Sequence, residues 1–140
     1  MDQSGQEKRV KIPVNYAYLL DTCAWLHIFD QTPAGNQIQS LIATHPICTT
    51  LVVIAELTDK LTREKRPFLD YLAHVKMRAS IAALNEPLAI SGALAKQELR
   101  RTAKHASLND GINLATARAL HTTLLTADQD FTGVNGAIVV

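Results

Sequence analysis

The chain has 140 residues, a length that suits one compact domain. Hydrophobic residues make up 47% and charged residues 19%, which excludes an intrinsically disordered chain, and an aromatic content of 5% makes base stacking a poor candidate for a main binding principle. Fourteen Lys and Arg against 13 Asp and Glu leave a net charge of +1, so contact with a polyanion must come from local patches rather than from the total.

Residues 1–14 are polar, read as a flexible tail, and carry no apolar signal core. Residues 15–140 read as a single domain. Tyr16 to Leu20 suits a buried strand, and Asp21 or Thr22 would cap a helix from Ala24 to Phe29. Gln31 to Gly35 reads as a loop before a helix over Asn36 to Ala43. Ile47 to Thr50 is a β-branched strand, followed by a helix from Leu51 to Arg63 with Ile54, Leu57 and Leu61 on one face. Pro67 opens a helix that carries Leu69, Leu72, Val75 and Met77 and ends before Asn85. Pro87 to Ile90 is expected to be a third strand. Ser91 caps a helix to Lys104, and Ser107 caps another to Leu120. His121 to Thr126 is a strand, Asp128 to Asp130 a turn, and Ala137 to Val140 a last strand. Strands alternating with helices predict an α/β domain with a parallel sheet. Cys23 and Cys48, in apolar surroundings and without zinc spacing, read as buried small hydrophobes in a reducing compartment. No run reaches the ~20 apolar residues of a membrane span, so the expectation is a soluble, cytoplasmic protein.

In parallel α/β sheets, ligands bind beyond the carboxyl ends of the strands. Asp21 follows the first strand and Asp128 follows the His121–Thr126 strand. Glu56 and Asp110 lie in the early turns of two helices. Four carboxylates on one edge repel one another unless a cation joins them. Their hard oxygen donors favour Mg²⁺ or Mn²⁺, the equipment for phosphodiester hydrolysis. Each acid also has a plainer account. Asp21 is equally an N-cap, and Ser107 with Asp110 has the spacing of a capping box. Asp128 and Asp130 suit a turn, and Glu56 has Lys60 four residues on. The functional reading therefore rests on the set.

The set resembles the PIN-domain nucleases, especially their VapC-type toxin branch. The resemblance is carried by Tyr18-Leu19-Leu20-Asp21-Thr22, by Thr49 to Leu57 with Glu56, by His105 to Ala117 with Asp110, and by Leu124 to Phe131 with Asp128 and Asp130. It spans about Tyr18 to Val140. It implies a three-layer α/β/α sandwich around a parallel sheet of about four or five strands. It also implies a metal-dependent endoribonuclease that leaves a 5′-phosphate and a 3′-hydroxyl. The implied catalytic and metal-holding residues are Asp21, Glu56, Asp110 and Asp128, with Asp130 an accessory acid and Thr22 and Thr126 supporting them. The implied cofactor is Mg²⁺ or Mn²⁺, and toxins of this branch pair with an antitoxin and form homodimers. Two departures stand out: Cys23, where small polar residues are usual, and Gly111, where Ala is common and helix propensity is higher by up to ~1 kcal/mol.

Basic residues fall in three groups: Lys8, Arg9 and Lys11; Lys60, Arg63, Lys65 and Arg66; and Lys96, Arg100 and Lys104. The last recur at i, i+4 and i+8, which predicts one helical face able to track an RNA backbone, with a solvated face as the equal alternative. His27 and His74 read as structural or surface residues, and His105 as a candidate substrate contact. The competing functions are an RNA-processing nuclease outside a toxin system and a catalytically inactive PIN-fold binding module. A haloacid-dehalogenase-type phosphatase is disfavoured because it needs an aspartate where Cys23 stands.

Overall fold

A computed structural model describes residues 15–140, so the expected tail and its three basic residues lie outside the described part. The first strand, β1, spans Tyr18–Leu20. Helix α1 (Thr22–Phe29) and helix α2 (Pro33–Ile42) lead to β2 (Ile47–Thr50). Helices α3 (Leu51–Arg63) and α4 (Phe68–Arg78) lead to β3 (Ala79–Ala82). Helices α5 (Glu86–Leu99) and α6 (Leu108–Ala119) lead to β4 (Thr123–Thr126). A 3₁₀ turn at Gln129–Phe131 precedes β5 (Ala137–Val139). The five strands form one sheet in the order β3-β2-β1-β4-β5, with every pair parallel.

The strand sequences alternate between two cores, as the two-residue period of a strand requires. Leu20, Ile47 and Leu125 face one side, where Trp25, Ile28, Ile38, Leu57, Leu61 and Val75 of α1 to α4 cover them. Leu19, Cys48 and Leu124 face the other side, under Ala95, Leu99, Leu114, Ala115 and Ala117 of α5 and α6. This is the expected α/β/α sandwich, with five strands.

Several expected boundaries move. The third strand is Ala79–Ala82, not Pro87 to Ile90. The apolar pattern after Pro67 continues into residues that pair along β2, from Ile47 with Ala79 to Thr50 with Ala82. Pro87 instead stands in the first turn of α5, where its missing N–H costs nothing, and Asn85 caps that turn by accepting from Leu88 N–H. Helix α2 likewise starts at Pro33 with Thr32 as its cap, so residues 33–35 are helical rather than loop. Helix α5 ends at Leu99, with Arg100 as its C-cap and Lys104 in the following turn. Strand β4 begins at Thr123, because His121 sits in a turn at φ 53°.

Helices α5 and α6 meet backbone to backbone. A Cβ added at Gly111 would lie 2.2 Å from the Gly92 carbonyl oxygen, and one added at Gly92 would lie 2.8 Å from Ile112 Cα. Gly111 thus gives up helix propensity for a close approach that a methyl group would block.

Candidate active site

The strand order sets where a crevice opens. From β1 the chain moves outward through β2 to β3, and β4 returns to the opposite side of β1. The connections therefore diverge beyond the carboxyl ends of β1 and β4, the switch point at which parallel sheets bind ligands. A cleft of about 320 Å³ lies there, lined by Asp21, Thr22, Cys23, Leu26, His27, Glu56, Lys60, Asp110, Asn113 and Asp128. All four predicted acids line it, delivered by four different segments. Asp130, exposed on the 3₁₀ turn, does not line it.

Each acid is held by local structure that also serves the fold. Asp21 caps α1, accepting from Ala24 N–H at 2.9 Å. Glu56 accepts from the Thr22 hydroxyl at 2.7 Å, and Lys60 pairs with Glu64 at 3.3 Å instead of with Glu56. Asp110 closes the capping box: its Oδ2 accepts from Ser107 N–H at 2.8 Å, and its own N–H donates to Ser107 Oγ at 3.1 Å. Asp128 accepts from Asp130 N–H at 2.9 Å and donates its own N–H to Thr126 Oγ1 at 2.9 Å. The capping and turn roles read from the sequence are therefore present, and the same carboxylates still reach the cleft.

The electrostatics of the cluster are unfavourable by themselves. Burial pushes Asp21 up from 3.8 to about 7; the Thr126 hydroxyl and Ala24 N–H counteract this, while the charges of Asp110 and Asp128 add to it. Burial also raises Asp110 against the hydrogen bonds from Ser107, with Asp128 and Asp130 adding repulsion. Among the described residues, none of the ion pairs includes Asp21, Glu56, Asp110 or Asp128. A cluster of this sign lacks a compensating cation, which is what a divalent ion supplies. Among the described residues no group of three or more His, Cys, Asp or Glu forms a ready-made cage. Mg²⁺ does not require one: it binds through one or two carboxylates and keeps several waters, so this donor set fits it.

A family model for the PIN domain matches residues 18–137. The chain belongs to the PIN-domain family. No curated protein sequence matches the chain. Among solved structures, this PIN domain is similar to VapBC2 from Rickettsia felis, bound to a DNA fragment from its promoter, at 20% identity over 89% of this chain and 97% of that one, with a TM-score of 0.69. It is also similar to a toxin–antitoxin complex from Klebsiella pneumoniae at 23% identity, 88% and 97% coverage and a TM-score of 0.64. VapBC-5 from Mycobacterium tuberculosis, a member of the VapBC family of toxin–antitoxin systems, is similar at 21% identity, 89% and 98% coverage and a TM-score of 0.61. At these identities the likeness establishes the fold.

The PIN site differs from the sequence expectation in its uncharged and basic residues. Cys48 is buried as expected, but Cys23 is half-buried in the cleft wall. Burial and the charges of Asp21 and Asp128 push its thiol up to about 11. His27 also lines the cleft and hydrogen-bonds through Nδ1 to Thr32 Oγ1 at 2.7 Å. The expected stripe of Lys96, Arg100 and Lys104 does not exist as one helical face, because α5 stops before Arg100. Arg100 instead donates through Nε to the Ala106 carbonyl at 2.7 Å and ties down the loop before α6. His105 is exposed in that loop and does not line the cleft. Asn113, buried in α6, carried no sequence signal at all. It stands in an apolar run, and its partner Thr50 is 63 residues away.

Among the described residues, no helix is long and apolar enough to cross a membrane. Leu72 and Val75 of α4 are core residues, whereas Leu69 and Met77 on the same helix are exposed.

Proposed function

We propose that this PIN domain is a Mg²⁺- or Mn²⁺-dependent endoribonuclease and the toxin of a toxin–antitoxin pair. One observation carries the reading: four carboxylates from four segments line a single cleft at the switch point of the sheet, and none of them is neutralised by an ion pair. Of Asp21, Glu56, Asp110 and Asp128, one or two would hold the ion directly and the others through its waters, with Asp130 reaching it from outside, also through water. A bound divalent ion would activate a water and offset charge on the scissile phosphate.

The residues around it do the positioning. The Thr22 hydroxyl fixes the Glu56 carboxylate, and Thr126 supports both Asp21 and the backbone of Asp128. Lys60 and His27 lie on the cleft wall formed by α1 and α3, where a phosphate next to the cut bond would meet the Lys60 ammonium. Lys96, whose backbone packs against Gly111 beside Asp110, stays a candidate RNA contact, as does exposed Arg100, whose Nε alone is spent on the loop it holds.

The similar solved structures are toxin–antitoxin complexes, and this supports an antitoxin as protein partner. A homodimer belongs to the same reading. Ile90 and Leu94, one turn apart and exposed on α5, supply apolar surface for such contacts. The test is cleavage of a mixed pool of tRNA, rRNA and mRNA with Mn²⁺, with 5′-phosphate ends mapped by sequencing. Cleavage that EDTA abolishes and that Asp21→Asn lacks supports the reading. Wild-type cleavage no faster than that of Asp21→Asn defeats it.

A further inference from the structure

The nuclease reading gives work to every polar wall of the cleft except one. Asn113 lies in α6 within the run Gly111 to Ala117, all of it buried, and its side chain is 1% exposed. A carboxamide in such a place is costly unless its polar atoms find partners. Its Oδ1 has one: it accepts from the Thr50 hydroxyl at 2.6 Å. That hydroxyl oxygen in turn accepts from Val53 N–H at 3.2 Å and caps α3, so Thr50 has spent its one donor on Asn113 and holds the amide plane in one orientation. The carboxamide also has two N–H donors. Among the described residues no acceptor takes them, and the side chain borders the cleft that the four acids line.

Supporting Thr50 needs only the oxygen of this side chain. An aspartate, or any residue with an acceptor at that point, would do it. The nitrogen is the unexplained half. The acids of the lining, Asp21, Glu56, Asp110 and Asp128, are all acceptors when ionised, and an anionic ligand gains nothing from them directly. A neutral donor pair locked in place beside them is suited to an anionic oxygen. It adds no positive charge that would compete with a cation for the carboxylates.

We propose that Asn113 is a substrate-binding residue whose carboxamide N–H groups donate to a non-bridging oxygen of the RNA phosphate seated in the cleft, with Thr50 fixing its orientation. The proposal rests on the nuclease reading for the identity of the ligand. A hydrogen bond to a charged oxygen predicts that losing this donor weakens RNA binding by about tenfold or more.

The test uses the full chain and a short fluorescein-labelled single-stranded RNA, with binding measured in Ca²⁺ and initial cleavage rates in Mn²⁺. Asn113→Asp keeps an acceptor for Thr50 and loses the donors. Asn113→Ala loses both without adding charge. Both variants are expected to bind RNA at least about tenfold more weakly. Asn113→Asp adds a buried carboxylate to the acid cluster and is expected to melt below wild type in EDTA, so its binding is compared per folded molecule, and the salt dependence of Asn113→Ala binding keeps the wild-type slope, because no ionic contact has gone. If wild type cleaves RNA and Asn113→Asp binds and cleaves equally well, the proposal is overturned and the nuclease reading stands. If wild type binds without cleaving and both variants bind more weakly, the nuclease reading falls and the phosphate contact stands. If wild type neither binds nor cleaves, both fall.

Discussion

The two faces of the sheet are filled by opposite means. Under α1 to α4 the core is built from large side chains, among them Trp25, Ile28, Ile38, Leu57 and Leu61. Under α5 and α6 alanines take a larger share, with Ala95, Ala103, Ala106, Ala115 and Ala117 beside Leu99, Leu114 and Phe131, and the two helices touch through Gly92 and Gly111. The first face gains stability from apolar area and has side chains that can shift. The second gains it from close fit between backbones, which cannot. The site depends on both: Glu56 comes from the large-residue face, Asp110 from the small-residue face, and Asp21 and Asp128 from the sheet between them. Relative movement of the two faces therefore changes the spacing of the carboxylates, and variants on each face should fail differently.

The largest expected effect is at Asp21, which belongs to neither face. Loss of a partner that merely orients a metal ligand typically costs 10–100-fold, so Asp21→Asn, which alters a proposed ligand itself, is expected to lower cleavage by more than about 100-fold. Its effect on stability should have the opposite sign. The folded protein holds Asp21 at about 7, above the ordinary 3.8. In EDTA the stability from this group is then fully present below about pH 4 and is lost as pH rises through about 7. The difference between the two protonation states is roughly 4 kcal/mol. Asp110, also raised by burial, adds to the same trend. Melting curves from pH 4 to 8 in EDTA should show wild type weakening with pH and Asp21→Asn weakening less. A parallel loss in both would remove desolvation of Asp21 as the cause.

The next two variants separate the faces. Leu61→Ala opens a cavity in the large-residue core and is expected to cost about 2–5 kcal/mol in urea unfolding. Leu61 lies beyond the turn that carries Glu56, so cleavage per folded molecule should stay near wild type. Gly111→Ala adds a methyl group where the Gly92 carbonyl already stands, and overpacking of this kind costs about 1–3 kcal/mol. Because the displaced residue adjoins Asp110, cleavage per folded molecule should fall as well. If Leu61→Ala lost more specific activity than Gly111→Ala, the contrast between the faces would be wrong.

Legibility in the sequence follows the same physical division. Features set by neighbours along the chain were readable. Asp21 and Asp128 stand at the ends of apolar strands, Asp110 opens a helix and Glu56 lies in the early turns of another, and the Ser107–Asp110 box is four residues long. Helix α3 has the bounds expected from the apolar period of Ile54, Leu57 and Leu61. Features set by distant contacts were not readable. Ala79 to Ala82 continue a helical-looking sequence without a Gly or Pro break, and only pairing with β2 makes them a strand. The basic stripe failed because the end of α5 depends on how the following loop packs, with Arg100 holding Ala106. Asn113 gave no signal because its role depends on Thr50 and on which side of α6 meets the cleft.

The smallest expected effect sharpens the double role of Asp110 at the edge of the small-residue face. Its carboxylate closes the capping box and also lines the cleft, so one side chain serves helix start and site. Ser107→Ala removes the hydroxyl that accepts from Asp110 N–H but leaves the Ser107 N–H that donates to Asp110 Oδ2. The cap loss is worth about 1 kcal/mol, or a melting temperature lower by about 3–4 °C in a chain of this size. The carboxylate keeps its anchor, so cleavage should change by less than about threefold, which is under 1 kcal/mol in the barrier. Asp110→Asn is the complementary case: the amide oxygen still accepts from Ser107 N–H, the buried charge is gone, and melting in EDTA at pH 8 should not fall, yet cleavage should. If Asp110→Asn cleaved like wild type while Ser107→Ala did not, Asp110 would belong to the helix cap alone, and the metal reading would have to stand on the other three acids.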